Sequence, residues 1–142
     1  MPTSTATAVW DGKLRDGSGS FRAGSGAFAG AYTFKTRFEG AAGTTPEELI
    51  AAAEAACFSM ALSAGLEKAG TPATRVETTA RCTLERGEGG FRITAVDLSV
   101  RGSVPGADAA AFQAAAAAAR DNCPVSRALK GNVAITMEAS LV

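Results

Sequence analysis

Histidine is absent from this 142-residue chain. That absence excludes Ser-His-Asp and Cys-His catalysis, and every metal site built with imidazole. Neither sign of charge is in excess, since 14 basic residues meet 14 acidic ones. Without a basic surplus there is no electrostatic case for binding nucleic acid or an anionic membrane. The start, Met1-Pro2-Thr3-Ser4-Thr5-Ala6, lacks the basic residues and apolar core of a secretory signal. No apolar run reads as long enough to span a bilayer. These absences lead us to expect a soluble, cytoplasmic protein.

Cysteine is scarce: Cys57, Cys82 and Cys123 are the whole set. None forms a CxxC pair, and the spacings do not resemble a zinc ribbon. An odd, small number in a cytoplasmic chain argues against a disulfide framework. Two readings remain open, redox or nucleophilic thiol chemistry and three inert buried thiols.

The length suits one domain covering residues 1–142. Thr5 to Trp10 alternates and predicts a strand, with Asp11-Gly12 as a turn. The Gly- and Ser-rich stretch 15–26 predicts a loop or ragged hairpin. Phe28 to Phe38 reads as a strand. Thr45-Pro46-Glu47-Glu48 is a helix start: Thr45 suits the N-cap, Pro46 the first helical position and Glu48 the far corner of a capping box. This helix should run to about Lys68. Between Leu49 and Leu66 it is apolar on nearly every face, with Glu54 the one charged residue, which predicts a buried helix. A domain this small can hardly cover such a helix on all sides, so a second chain is expected to help.

Residues 75–86 and 91–101 alternate and predict a hairpin closed by Gly87 to Gly90, with Ile93, Ala95, Val96 and Leu98 facing inward. Asp108 caps an Ala-rich helix to about Asp121. Asn122-Cys123-Pro124 interrupts it, Pro124 starts a short helix through Lys130, and Asn132 to Leu141 is a last strand. The order predicts an α+β fold with mainly antiparallel pairing.

Local chemistry separates the cysteines. Cys57 lies in mid-helix among apolar residues, where the plain reading is a small core side chain of raised pKa. Cys123 sits at the N-cap of a short helix, where the dipole and free N–H groups favour a thiolate, so local physics makes it the more acidic thiol. Cys82, mid-strand between Arg81 and Thr83, reads as structural. An isolated Arg37 reads as a solvated strand residue, and Glu47 as favourable charge at a helix start. Phe28, Tyr32, Phe58 and Met60 are candidates for a pocket lining, though each is more often plain core.

The run Gly43-Thr44-Thr45-Pro46-Glu47-Glu48-Leu49-Ile50-Ala51-Ala52-Ala53-Glu54-Ala55-Ala56-Cys57-Phe58-Ser59-Met60-Ala61-Leu62 resembles the signature helix of the OsmC/Ohr family, in its osmotically inducible protein C branch. The likeness extends to Thr36-Arg37-Phe38-Glu39-Gly40, to Val104-Pro105-Gly106, and to Asn122-Cys123-Pro124-Val125-Ser126-Arg127-Ala128-Leu129-Lys130. The two cysteine motifs together are a specific signal. The resemblance implies an OsmC-like intertwined homodimer, with central helices wrapped by mainly antiparallel sheets from both chains. It implies reduction of organic hydroperoxides, and less efficiently hydrogen peroxide, to alcohol and water. Cys57 would be the peroxidatic thiol, Cys123 the resolving thiol, Arg37 the activating arginine and Glu47 its carboxylate partner. No metal, flavin or haem is implied, and electrons would come from an external dithiol, typically a lipoylated protein.

One position departs from the pattern: Glu54 stands where relatives commonly carry histidine. Facing the thiol, its charge would oppose thiolate formation, so it is expected to point elsewhere or to pair with a cation. Two rival functions are a non-catalytic dimer binding apolar stress metabolites, which would need neither Cys57 nor Cys123, and a thiol acyl-transfer enzyme, for which no histidine base exists.

Overall fold

Alternation over the first residues builds β1 (Ala6–Asp11), which pairs antiparallel with β2 (Ser18–Ala23). The second strand emerges from the Gly/Ser-rich stretch expected to be ragged, and it holds a full six-residue register from Ala6↔Ala23 to Asp11↔Ser18. β3 (Ala29–Tyr32) adds antiparallel to β2. Trp10 and Tyr32 pack across this sheet with ring centroids 5.5 Å apart. Gly19 lies between them, and a Cβ there would fall 2.6 Å from the Tyr32 ring. The structure, a computed structural model, describes all residues 1–142.

The strand expected over Phe28–Phe38 is wrong in its second half. After Tyr32 the chain turns into a short helix, α1 (Phe34–Phe38). Thr33 accepts a hydrogen bond from the Thr36 amide at 3.2 Å, and Thr36 Oγ1 accepts one from the Thr33 amide at 2.9 Å. This reciprocal cap stabilises a helix that apolar alternation alone would not show. Arg37 is therefore a helical residue, in the last turn of α1.

The chain folds as two compact units, Met1–Pro46 and Glu47–Val142. The second holds a sheet in the order β4-β5-β6, with β4 (Arg75–Gly87) antiparallel to β5 (Gly90–Ser103) and β6 (Ala134–Leu141) parallel to β5. The pairing is thus mainly antiparallel, as expected, with one parallel neighbour. The register shifts between Thr83 and Leu84, which face Ala95 and Ile93. Thr94 is the extra residue of a bulge, and a bulge changes the phase of alternation. Beyond it Val96, Leu98 and Val100 are buried, whereas Ile93 and Ala95 are only half-buried.

The long helix α2 spans Pro46–Lys68, as its start and stop signals predict. Phe58, Leu62 and Leu66 are buried along one stripe and join Val96, Leu98, Val100, Val104 and Phe112 in the core. Each such side chain contributes about 1.5–3 kcal/mol by leaving water. Ser59 Oγ also bonds Thr78 Oγ1 on β4 at 2.7 Å. The helix is not buried all round. Leu49, Ala53, Ala56, Met60 and Ala64 form an exposed apolar face, with Met60 at 76% exposure. The expectation that no run is long enough to span a bilayer also fails. α2 has 23 residues and a mean hydropathy of 1.7 over its most apolar window. By length and composition it would cross a hydrocarbon layer, although one stripe is packed into the core.

α3 (Ala109–Asn122) starts where Asp108 accepts from the Ala111 amide at 2.7 Å. Phe112 packs against Gly102 of β5, where a Cβ would lie 2.6 Å from the ring. Cys123 ends α3 and caps α4 (Pro124–Leu129).

Candidate functional site

Pro124 cannot continue α3, so the chain breaks at Cys123 and restarts at once. The break turns the Cys123 side chain into the core, where it is 1% exposed. Its sulfur accepts from the Ser126 amide at 3.4 Å, and its thiol donates to Ser126 Oγ at 3.0 Å. On the facing helix, α2, Cys57 is half-buried against the same cluster, and its side chain acts on the Cys123 thiol. Both cysteines are free. Two of the expected site residues, far apart in the chain, are thus brought together.

Glu54, expected to point away from Cys57 or to pair with a cation, meets Ser126 and Cys123 and no cation. It is fully buried, and its Oε1 accepts from the Ser126 hydroxyl and lies 3.7 Å from Cys123 Sγ. Its other oxygen, Oε2, has no hydrogen-bond partner. The position on α2 places it on the buried stripe with Phe58 and Leu62, one turn on at each step.

The acidity expected of Cys123 is reversed. Burial pushes its thiol above the usual range. The hydroxyl and amide of Ser126 pull it down, while Cys57 and the charge of Glu54 push it up. The N-cap geometry is present as read from the sequence, but desolvation outweighs it. The proton is held on Cys123. Ser126, which the sequence reading had passed over, is the third member of this cluster. Its signal was the spacing Cys-Pro-x-Ser, which sets a hydroxyl three residues after an N-cap.

Glu47 lies in the first turn of α2 and is 6% exposed. It acts electrostatically on Cys82, whose thiol is raised first by burial and then by this carboxylate. Cys82 sits opposite Val96 in the β4–β5 ladder. Glu47 and Cys57 belong to one unbroken helix, so about 15 Å of axis separates them. Arg37 belongs to the N-terminal unit, where its guanidinium stands 5.3 Å from the Phe38 ring centroid. There it lines a shallow cleft with Trp10, Leu14, Tyr32, Phe34 and Phe38. Of the pocket candidates, Tyr32 lines this cleft, Phe58 is core, and Phe28 and Met60 are exposed.

Fold and site define an α+β protein with two three-stranded sheets and a pair of free thiols on one core cluster. The family model described as OsmC-like protein matches residues 38–138, and the chain belongs to that family, on its osmotically inducible protein C branch. It is 45% identical over 129 residues to peroxiredoxin OsmC of Escherichia coli, covering 90% of each chain. It is 38% identical over 101 residues to the organic hydroperoxide resistance protein OhrA of Bacillus subtilis, covering 68% of this chain and 67% of that one. The crystal structure of OhrB of Bacillus subtilis superposes with a TM-score of 0.76 at 29% identity, over 96% of this chain and 98% of that one. An organic hydroperoxide resistance protein from Elizabethkingia anophelis superposes at 0.79 with 26% identity, over 100% and 98%. These relatives support a peroxidase-type role.

Proposed function

We propose that the protein is a cysteine-based organic hydroperoxide reductase. The observation that carries this reading is the placement of Cys57 and Cys123, two free thiols from distant parts of the chain, on one core cluster where the first acts on the second. The names of the relatives, peroxiredoxin and organic hydroperoxide resistance protein, point the same way.

The Cys57 thiolate attacks the distal oxygen of the hydroperoxide, the O–O bond breaks, and the alkoxide leaves and takes a proton to become the alcohol. Cys57 is then a sulfenic acid. The Cys123 sulfur attacks the Cys57 sulfur, water leaves, and a disulfide remains. Hydrogen peroxide follows the same course less efficiently. An external dithiol, by the family resemblance a lipoylated protein, reduces the disulfide to restore both thiols. The direction of the Cys123 pKa supports this division of roles, because the thiol that keeps its proton is the poorer first nucleophile.

Arg37 activates Cys57 by charge and by its planar fork, which also polarises the peroxide, and Glu47 holds that fork. The chain works as a single functional domain over residues 1–142, in the cytoplasm, and as a homodimer with no nucleic-acid or membrane partner. The dimer is supported by the exposed apolar face of α2 at Leu49, Ala53, Ala56, Met60 and Ala64, which a second copy would cover. No metal or organic cofactor takes part.

The test is mass spectrometry of the reduced protein after one equivalent of cumene hydroperoxide. The expected product has lost two hydrogens and links Cys57 to Cys123. A protein left unchanged, or one linked through Cys82, would overturn the reading. A binder of apolar metabolites would leave all three thiols reduced.

A further inference from the structure

A buried carboxylate is costly unless it is paired and hydrogen-bonded. Glu54 is fully buried, is held through one oxygen, and leaves the other without a partner. The hydrogen bonds run in one direction. Cys123 donates to Ser126 Oγ at 3.0 Å, and Ser126 Oγ donates to Glu54 Oε1. Cys123 Sγ also reaches Oε1 directly at 3.7 Å. The chain of donors starts at the resolving thiol and ends at the carboxylate.

We propose that Glu54 is the base of the resolving step, drawing the proton from Cys123 through Ser126 so that its sulfur can attack oxidised Cys57. This rests on the reading of Cys57 and Cys123 above. In the step, the Cys123 S–H proton moves to Ser126 Oγ as the Ser126 proton moves to Glu54. The Cys123 thiolate forms an S–S bond to the Cys57 sulfur as the S–OH bond breaks. The departing hydroxide takes the proton back from Glu54, one helical turn from Cys57, and leaves as water. No proton is gained or lost overall; the Cys123 sulfur supplies the electron pair of the new S–S bond, and the hydroxide leaves with the pair of the broken S–O bond.

The arrangement resolves a conflict in the site. A resolving thiol must stay protonated while Cys57 is reduced. It must ionise once Cys57 is a sulfenic acid. Burial, the neighbouring Cys57 and the charge of Glu54 all raise the Cys123 thiol in the reduced state. Once Cys57 is a sulfenic acid, the waiting carboxylate becomes the acceptor. The titratable groups acting on Cys123 are Cys57 and Glu54, both on α2. Arg120, Asp121 and Lys130 line a cleft together with Ser126.

The experiment follows single turnover with cumene hydroperoxide, quenched with dimedone and read by mass spectrometry. In Glu54→Gln the Cys57 sulfenic acid should form within about twofold of the wild-type rate, while disulfide formation slows by about tenfold or more. The slowed step should recover as pH rises and solvent hydroxide replaces the base, a profile that a merely structural residue would not give. Ser126→Ala should slow the same step. Disulfide formation at the wild-type rate in Glu54→Gln, or equal slowing of both steps, overturns the proposal. If circular dichroism shows Glu54→Gln unfolded, Ser126→Ala decides by the same criterion. A wild-type protein that forms no Cys57–Cys123 disulfide fails at the earlier reading, and the role of Glu54 falls with it.

Discussion

Glu54 and Cys123 are 69 positions apart in the chain, and their Oε1 and Sγ atoms are 3.7 Å apart in the fold. A carboxylate at that distance from a buried thiol opposes its ionisation, and with burial it makes Cys123 the thiol that keeps its proton. The consequences can be measured one by one.

The two thiols should fail differently. Cys57→Ser is expected to abolish peroxide consumption. Cys123→Ser is expected to permit one oxidation of Cys57 and then to stall, with sulfinic acid appearing as peroxide is added. Stopped-flow consumption of cumene hydroperoxide and intact-mass analysis separate the two outcomes. Parent-rate turnover by Cys57→Ser would assign the peroxidatic role to Cys123.

Cys82 should be dispensable. Burial and the nearby Glu47 both raise its thiol, so it has little thiolate character at neutral pH. Cys82→Ala should keep turnover within about threefold. Loss of activity with an unchanged circular dichroism spectrum would give this cysteine a role that its strand position does not indicate.

The raised Cys123 thiol also makes stability depend on pH. Its folded-state pKa lies above that of the unfolded chain, so the unfolded state releases the proton first. The contribution is complete below about pH 8.5, the unfolded thiol value, and is lost as pH rises through the folded value. Urea midpoints of the fully reduced protein should therefore fall between neutral pH and about pH 10 by more in wild type than in Cys123→Ser, whose hydroxyl does not titrate there. Parallel pH curves would show that the thiol is not held protonated by the fold.

Glu47 should complete the site around Cys57 of a second chain. Both residues lie on the unbroken helix α2, about 15 Å apart along its axis, and an arginine side chain of about 7 Å does not bridge them on one straight helix. Two antiparallel copies of α2 about a two-fold axis would set the start of one beside the middle of the other. Arg37, ten residues before Glu47, would come from the same partner. Heterodimers of Cys57→Ser and Glu47→Ala chains, isolated by different tags, would then carry one doubly defective and one intact site, and should keep about half of wild-type activity. A heterodimer no more active than the Glu47→Ala homodimer would place Glu47 beside its own Cys57.

Local signals determined much of this protein. The start and stop of α2, the Asp108 cap, the Cys123-Pro124 break and the β4–β5 hairpin were legible because each rests on neighbours within a few residues. The cysteine motifs were legible as a resemblance. One local signal was overridden in the reading by apolar alternation, and two features belonged to the tertiary structure alone. Phe28–Phe38 alternates like a strand, yet a Thr33–Thr36 cap bends its second half into α1. The dipole at Cys123 favours a thiolate, yet the core that closes over it removes the water a charge needs, and desolvation wins. Glu54 shows no partner within its own helix, because its partners arrive with α4 from the far end of the chain. Sequence spacing fixes which side of a helix a residue takes, but the polarity of what it meets there depends on the fold.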